Sequence, residues 1–169
     1  MGVYASLKNT DLYGKMFMID VNSDVAAGYD QYEALQLGTC TPRTGFLNGK
    51  WQNGYNAIQR ANLAIRSIGE APIDEVPKNQ MLGEARFLRA LIYFHLLDYF
   101  GGLPIYDETT DLEKEFNNLL KPRSSAEETR AFILADLEKA LGAGLPDQWN
   151  DANYGRVTLS AAQALLGKV

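Results

Sequence analysis

The chain has 169 residues, 46% of them hydrophobic and 22% charged, which suits one globular domain with a core and excludes a disordered chain. Its 16 Lys and Arg residues against 21 Asp and Glu give a net charge of −5, without the basic stripe that a phosphate backbone requires. We therefore expect no nucleic-acid partner. The longest strongly apolar uncharged run, residues 90–97, is far shorter than the ~20 residues that cross a bilayer.

The first predicted element is a short helix within MGVYASLKNTDLYG. Val3, Leu7 and Leu12 give it an apolar side, and Gly14 can end it. Residues 14–49 sustain no helical or strand period, which predicts a long ordered loop region. Loops of this length inside a compact domain are uncommon and often functional, so we expect a binding surface here.

Cys40 lies in this loop region and is the only cysteine, so the chain has no intramolecular disulfide and no CxxC metal or redox motif. The ten residues before it include Asp30 and Glu33 and lack the apolar run of a secretory signal. We expect a partly buried thiol rather than a lipid-attachment site.

Helical periodicity runs over residues 50–67. Its apolar stripe contains Trp51, for which we expect core packing, and Asn62. Because an unpaired buried amide costs roughly 1–3 kcal/mol, Asn62 should bond to a neighbouring backbone or side chain. We favour this structural role over ligand contact.

The next predicted helix, residues 79–100, is apolar around most of its circumference. Arg86, Arg89 and Tyr93 alone form a polar strip, and such a helix is buried between other helices. The pair Gly101–Gly102 supplies its end. The segment LPIYDETT that follows reads as extended, with room for one short strand.

Ser125 and Glu128 fit a capping box for a helix over residues 125–142. A polar, turn-rich link leads to a last helix that begins at Thr158 and has not ended at Val169. The predicted fold class is all-α: stacked antiparallel helical hairpins, tetratricopeptide-like, with long ordered loops. The literal tetratricopeptide spacing is not met, so the comparison is architectural.

Four segments carry a family resemblance in their order and spacing: WQNGYNAIQRANLAI, GEARFLRALIYFHLLDYFGGLPI, RSSAEETRAFILADLEKALGAGLP and GRVTLSAAQALLGKV. Together they resemble the SusD/RagB family of outer-membrane nutrient-uptake lipoproteins. The resemblance covers residues 50–169 strongly and the first helix weakly. It implies that residues 1–169 form a single SusD-like amino-terminal helical domain, a fragment of a longer protein. His95 and Asp98 depart from the residues commoner in the family.

The resemblance implies a surface-exposed lipoprotein of the cell outer membrane that captures glycans or other nutrients and passes them to a SusC-like TonB-dependent transporter. It further implies that the lipid anchor lies outside this chain. The family's ligand contacts come largely from loops and from a later half. No enzyme activity, catalytic residue, metal or cofactor is expected.

Sugar binding needs flat apolar surfaces for the CH groups of a pyranose and planar polar groups for its hydroxyls. Two loops offer this chemistry. The candidate ligand residues are Arg43, Phe46 and Asn48 in the first loop, and Trp149, Asn150, Asp151 and Tyr154 in the second. For Trp149 we favour an inter-helix packing role over a sugar platform.

Glu84 lies on the crowded face of the 79–100 helix, where a lone carboxylate is expensive to bury. We expect an arginine partner, on another helix rather than Arg86 or Arg89 of its own. A catalytic acid is disfavoured because no second carboxylate is fixed opposite Glu84. His95, the sole histidine, can bond to Asp98 three residues on, which favours a core histidine over a metal ligand.

The acidic run YDETTDLEKE could offer calcium ligands in Asp107, Glu108 and Asp111, but its spacing matches no calcium loop, and a solvated linker is the better interpretation. Two other function classes stay open. One is a tetratricopeptide-like protein–protein interaction adaptor without glycan binding. The other is a carbohydrate-active enzyme, for which the chain has no GxSxG or HExxH motif and no Gly-rich phosphate loop.

Overall fold

A computed structural model describes residues 2–14, 33–110 and 120–169. It has two compact units, Met1–Asn56 and Ala57–Val169. Its helices are α1 (Gly2–Leu7), a π-helical turn (Thr10–Gly14), α2 (Glu33–Gln36), α3 (Gly45–Glu70), α4 (Glu75–Phe100), α5 (Ala126–Leu141), a 3-10 turn (Asp151–Asn153) and α6 (Leu159–Lys168). Helix α3 begins in the first unit and ends in the second. The predicted all-helical fold is confirmed for the described residues, which contain no strand.

In the first unit, the predicted leading helix is interrupted. Helix α1 ends at Leu7, and the Asn9 side chain accepts a hydrogen bond from the backbone N–H of Asp11 at 2.8 Å, which opens the π-helical turn. Leu12, 2% exposed, is the buried apolar residue of that turn. The Lys50 ammonium donates to the Leu12 carbonyl at 2.9 Å and ties the turn to α3.

The predicted loop over residues 14–49 is only partly tested, because residues 15–32 lie outside the described residues. In the remainder, α2 is helical and α3 begins at Gly45, five residues before the predicted start. The prediction was wrong there, since the backbone N–H groups of Leu47 and Asn48 already bond to the Thr44 carbonyl. Glycine at positions 45 and 49 hides this first turn from a reading of propensity.

In the second unit, α4 packs against α5, and α5 packs against α6. Phe87 and Leu97 are 7% and 8% exposed, Phe94 is half-buried, and Leu88 is buried at 2%. The predicted enclosure of this helix is therefore confirmed. Gly83 permits the close contact with the end of α5, because a Cβ placed there would lie 2.5 Å from the Ala143 Cβ.

The predicted helix ends are also present. Gly101 has a φ of 68°, and its N–H donates to the Leu97 carbonyl at the end of α4. At α5 the Ser125 hydroxyl accepts from the Glu128 N–H at 3.0 Å, and the Glu128 carboxylate accepts from the Ser125 N–H at 2.7 Å, which confirms the capping box. Thr158 caps α6 by accepting from the Ala161 N–H.

The short strand allowed for LPIYDETT is absent from the described residues of that segment, 103–110. Its backbone bonds to side chains instead of to a second strand. The Tyr106 N–H donates to the Tyr93 hydroxyl at 2.8 Å, and that hydroxyl donates to the Tyr106 carbonyl at 3.2 Å. Across the described ranges, no helix combines the length and the apolar character that crossing a bilayer requires.

Candidate functional site

A buried arginine on α4 organises the second unit. Arg89 is 1% exposed, and its Nε and Nη2 donate to the two carboxylate oxygens of Asp136 on α5, both at 2.7 Å. Its Nη1 donates to Asn62 Oδ1 and to Glu108 Oε2, both at 2.6 Å. We call Asn62, Arg89, Glu108 and Asp136 the Arg89 cluster. Two residues of the polar strip predicted on α4, Arg89 and Tyr93, are buried, and hydrogen-bond partners satisfy both side chains.

Opposing effects set the charges in the Arg89 cluster. Burial lowers the pKa of Arg89, but hydrogen bonds and charges from Asp136 and Glu108 outweigh burial and raise it overall. Burial raises the pKa of Asp136, and the hydrogen bonds from Arg89 oppose that rise. For Glu108, partial burial is outweighed by Arg89 and a backbone hydrogen bond, so its pKa is lowered. The guanidinium with two acidic partners is a satisfied structural ion network.

Helix α3 holds the segment 106–110 through the carbonyl groups of that segment. Asn62 Nδ2 donates to the Tyr106 carbonyl at 3.1 Å. Arg66 donates to the Glu108 carbonyl from Nε at 3.1 Å and Nη2 at 2.8 Å, and to the Thr110 carbonyl at 3.0 Å. The hydrogen bonds expected for the buried Asn62 amide are therefore present, and they extend the cluster to a segment without regular structure.

A second ion pair joins α4 to the turn before α6. Glu84 is 4% exposed and accepts two hydrogen bonds from Arg156, one of them from Nε at 3.0 Å and the other from Nη2. The expectation of an arginine partner is confirmed. The expected location is wrong, because Arg156 lies in the turn and not on a helix. A residue in a turn can approach α4 without the interaxial distance that separates two packed helices.

Arg156 also contacts the aromatic part of this turn. Its guanidinium carbon lies 4.1 Å from the centre of the Trp149 ring, and its Nη1 donates to Asn153 Oδ1 at 2.8 Å. The Trp149 Nε1–H donates to the Val157 carbonyl at 2.7 Å. We call residues 149–156 the aromatic turn. One face of the indole is therefore stacked on a cation, and the ring is half-buried.

The outer side of the aromatic turn is formed by Tyr154, which is 89% exposed. Asn150 precedes the 3-10 turn, and its Oδ1 accepts from the backbone N–H of Asn153 at 3.1 Å and from the Asn153 side chain at 2.9 Å. Asn150 and Asp151 are exposed. The turn therefore presents a tyrosine ring beside polar side chains on a backbone fixed by side-chain hydrogen bonds.

The other predicted ligand loop lies in the first unit. Arg43 and Asn48 are exposed there, but Phe46 is 2% exposed and cannot offer its ring to a ligand. That part of the prediction was wrong because α3 begins at Gly45 and turns Phe46 inward. Trp51 is half-buried and packs against Tyr55 with ring centres 4.8 Å apart.

His95 is half-buried rather than enclosed, and its ring centre lies 5.1 Å from that of Tyr99. Asp98 is exposed. Arg86 is half-buried, and within the described residues its buried Nε has no hydrogen-bond partner. Burial raises the pKa of Glu108, Arg89 lowers it, and the charge of Arg86 adds a smaller lowering effect. The structural roles predicted for His95, Asp98 and Arg86 stay predictions.

The candidate calcium ligands are engaged in other contacts. Asp107 Oδ1 accepts from the N–H and hydroxyl of Thr109, at 3.0 and 2.6 Å, and Glu108 bonds to Arg89. Asp111 lies outside the described residues. No group of three His, Cys, Asp or Glu residues in ranges 2–14, 33–110 and 120–169 is arranged to hold a metal ion.

Sequence reasoning did not identify two important partners, Asp136 of Arg89 and Arg156 of Glu84. Both belong to the segments that carry the family resemblance, and each has the charge opposite to that of its partner on α4. Complementary charge between Glu84 and Arg156, and between Arg89 and Asp136, was the available signal. Sequence separations of 72 and 47 residues gave no local reason to connect them.

Comparisons with known proteins agree on one family. The model for SusD-like proteins, described as "Starch-binding associating with outer membrane", matches residues 1–169. A SusD-like protein of Formosa agariphila is 37% identical over 125 residues, which are 73% of this chain and 24% of the relative. A SusD-like protein of Bacteroides ovatus is 30% identical over 144 residues, 83% of this chain and 24% of the relative.

Solved structures give the same result. A SusD-like protein from Bacteroides fragilis matches with a TM-score of 0.82 at 27% identity, over 99% of this chain and 32% of its own. A "Laminarin binding SusD-like protein" matches with a TM-score of 0.77 at 26% identity, over 99% and 39%. The chain thus spans about a quarter to two fifths of these proteins. The predicted family is confirmed: this chain belongs to the SusD-like family of helical proteins with tetratricopeptide-like architecture.

Proposed function

We propose that this chain is the amino-terminal helical domain of a glycan-binding protein and that the aromatic turn contacts the glycan. Family membership supports the general role, and one structural neighbour is named for laminarin binding. The observation that carries the site is Tyr154, an aromatic side chain left 89% exposed on a turn that side chains hold in place.

The aromatic turn supplies the two kinds of group that a neutral sugar needs. The Tyr154 ring can pack on the CH face of a pyranose, and its hydroxyl can bond to a sugar hydroxyl. Asn150 uses Oδ1 inside the turn, which leaves its amide nitrogen as the donor to a ligand. Trp149 is half-buried with one face against Arg156, and it supports the turn from beneath. Arg43 and Asn48 are proposed contacts of the first unit.

The proposal extends to the biological setting. The protein captures polysaccharide at the cell surface and passes it to a SusC-like TonB-dependent transporter, held at the outer membrane by a lipid anchor outside this chain. Support comes from the outer-membrane association in the family description. The proposed role is not enzymatic, and the buried carboxylates support that view: Glu84 pairs with Arg156, and Asp136 pairs with Arg89.

The test is affinity electrophoresis of the longest natural form of the protein against neutral and acidic polysaccharides, with laminarin and starch included. We expect retardation by at least one glycan. Tyr154→Ala should weaken binding about fivefold, since an aromatic contact contributes roughly 1 kcal/mol. Tyr154→Phe, which keeps the ring, should retain most of the affinity.

Val76→Ala is the matched control, because Val76 is also strongly exposed, at 70%, but lies at the start of α4 away from the aromatic turn in sequence. It should bind as the wild type does. A protein that binds no glycan in the panel contradicts the proposed function and favours the adaptor alternative. Binding that Tyr154→Ala leaves unchanged contradicts the proposed site while retaining the function.

A further inference from the structure

Arg156 reaches the aromatic turn by two separate routes. Its guanidinium carbon lies over the Trp149 ring, 4.1 Å from the ring centre, at the beginning of the turn. Its Nη1 donates to Asn153 Oδ1, and the Asn153 amide donates in turn to Asn150 Oδ1. A single side chain therefore contacts Trp149, before the 3-10 turn, and Asn153, the last residue of that turn, next to Tyr154.

The same guanidinium is anchored from below by Glu84. That carboxylate is 5% exposed and accepts from Nε and Nη2, so it orients the guanidinium plane as well as neutralising it. Because Glu84 projects from α4, it holds the guanidinium against a helix that has many buried residues. A lysine ammonium could keep the charge attraction but has no plane to stack and no fork to bind both oxygens.

We infer that Arg156 is a positioning residue of the aromatic turn: through Trp149 and Asn153 it sets the orientation in which Tyr154 meets a glycan. This inference rests on the proposed function. The simpler alternative is an ion pair that only contributes to stability. The two differ in what a charge-conserving substitution does, since a simple ion pair survives Arg156→Lys whereas the stacked, forked arrangement does not.

The first measurement is the fluorescence of Trp149. The chain has two tryptophans, so Trp51→Phe leaves Trp149 as the only indole reporter. In that background, Arg156→Lys should move the emission maximum to longer wavelength and increase quenching by acrylamide, because the guanidinium no longer covers one face of the ring. Arg130→Lys, at an exposed position on α5, is the matched control and should change neither property.

The second measurement is glycan affinity of the longest natural form, at a temperature where every variant is folded by circular dichroism. Arg156→Lys should lower affinity by about threefold, less than the loss of about fivefold expected for Tyr154→Ala, because a misplaced tyrosine ring keeps part of its contact. Tyr154→Ala combined with Arg156→Lys should lose little beyond Tyr154→Ala alone, because Arg156 acts through the tyrosine. Arg130→Lys should bind as the wild type does.

The outcomes separate the inference from the function on which it rests. If the wild type binds glycan and Arg156→Lys leaves both affinity and Trp149 emission unchanged, the positioning role is overturned and the proposed function stands. The positioning role is overturned in the same way if emission changes but affinity does not. If the wild type binds no glycan, the proposed function is contradicted and the positioning role falls with it.

Discussion

Two ion pairs connect α4 to its neighbours, and α4 contributes the cation to one pair and the carboxylate to the other. Arg89 reaches outward from α4 to Asp136, whereas Glu84, five residues before it, receives Arg156 from the aromatic turn. The arginine is 1% exposed in the first pair and 31% exposed in the second. In the Arg89 cluster, three acceptor residues surround the cation. Arg156 instead pairs with one carboxylate and also contacts the aromatic turn.

The difference shows what burial of the cation determines. A buried ion pair is worth little against an apolar pair of the same volume, but losing one partner leaves a charge that water cannot reach. The Arg89 cluster is therefore committed to the fold. Water screens the Arg156 pair and lowers the contribution of that pair to stability. Arg156 can therefore contact the aromatic turn at the surface while the core depends less on it.

The largest expected effect comes from breaking the buried pair. Arg89→Met leaves Asp136 and Glu108 without their cation, and we expect a loss of about 3–5 kcal/mol in the free energy of unfolding. Urea denaturation followed by circular dichroism measures it. The double variant Arg89→Met/Asp136→Leu should recover much of the loss, because it removes the more deeply buried of the two carboxylates that lose their cation. A loss below about 1 kcal/mol in the single variant would contradict the closed cluster.

The close contact beside Glu84 is the next test. Gly83→Ala puts a Cβ 2.5 Å from the Ala143 Cβ and should lower stability by about 1–3 kcal/mol through overpacking. Gly69→Ala is the control, since nothing lies within 4 Å of its added Cβ; it should stabilise by roughly 0.5–1 kcal/mol. Gly83→Ala/Ala143→Gly should restore most of the lost stability. Equal effects of the two single glycine variants would refute the contact.

Opening the partly exposed pair should have a smaller effect. Glu84→Gln keeps one acceptor for Arg156 but removes the charge, and we expect a loss of about 1 kcal/mol, or roughly 2–4 °C in melting temperature. Differential scanning calorimetry resolves that shift. Glu138→Gln, at an exposed position on α5, should stay within about 0.5 kcal/mol of the wild type. A loss as large as that of Arg89→Met would erase the proposed difference between the pairs.

The smallest effect is a pH dependence at Glu108. Partial burial raises its pKa, but Arg89 outweighs burial and holds the pKa below the ordinary 4.5. A carboxyl with a lowered folded-state pKa stabilises the fold above its unfolded pKa, and that stabilisation is lost as the pH falls through the folded value. The stability advantage of the wild type over Glu108→Gln should therefore be full above about pH 4.5 and shrink below it. Urea midpoints at falling pH measure it, and an advantage that grows with acid would contradict the sign.

Features set by local chemistry could be predicted from the sequence. The capping box at Ser125, the helix end at Gly101 and the enclosure of α4 follow from residues within a few turns of one another. Even the need of Glu84 for an arginine could be argued, because it follows from the free energy of burying a charge. What was out of reach was which arginine, since tertiary contact alone joins residues 72 positions apart.

Other features could not be predicted, also for physical reasons. The partners of Arg89 were out of reach because a helical wheel carries hydropathy but not the groups that α3, α5 and segment 106–110 bring to the side chain. Phe46 looked exposed because its neighbours are polar and glycine-rich, and the early start of α3 reverses that reading. The exposure of Tyr154 was predicted, but the support that Arg156 gives to its turn was not.

One oxygen atom on α4 has a wider consequence. By accepting from the N–H of Tyr106 and donating to its carbonyl, the Tyr93 phenol does for this residue what an adjacent β-strand would do. An extended segment with open backbone groups is a template for pairing with another molecule, and such edges promote aggregation. The Tyr93 hydroxyl, together with the Asn62 amide that also donates to the Tyr106 carbonyl, leaves neither backbone group of Tyr106 open to such pairing.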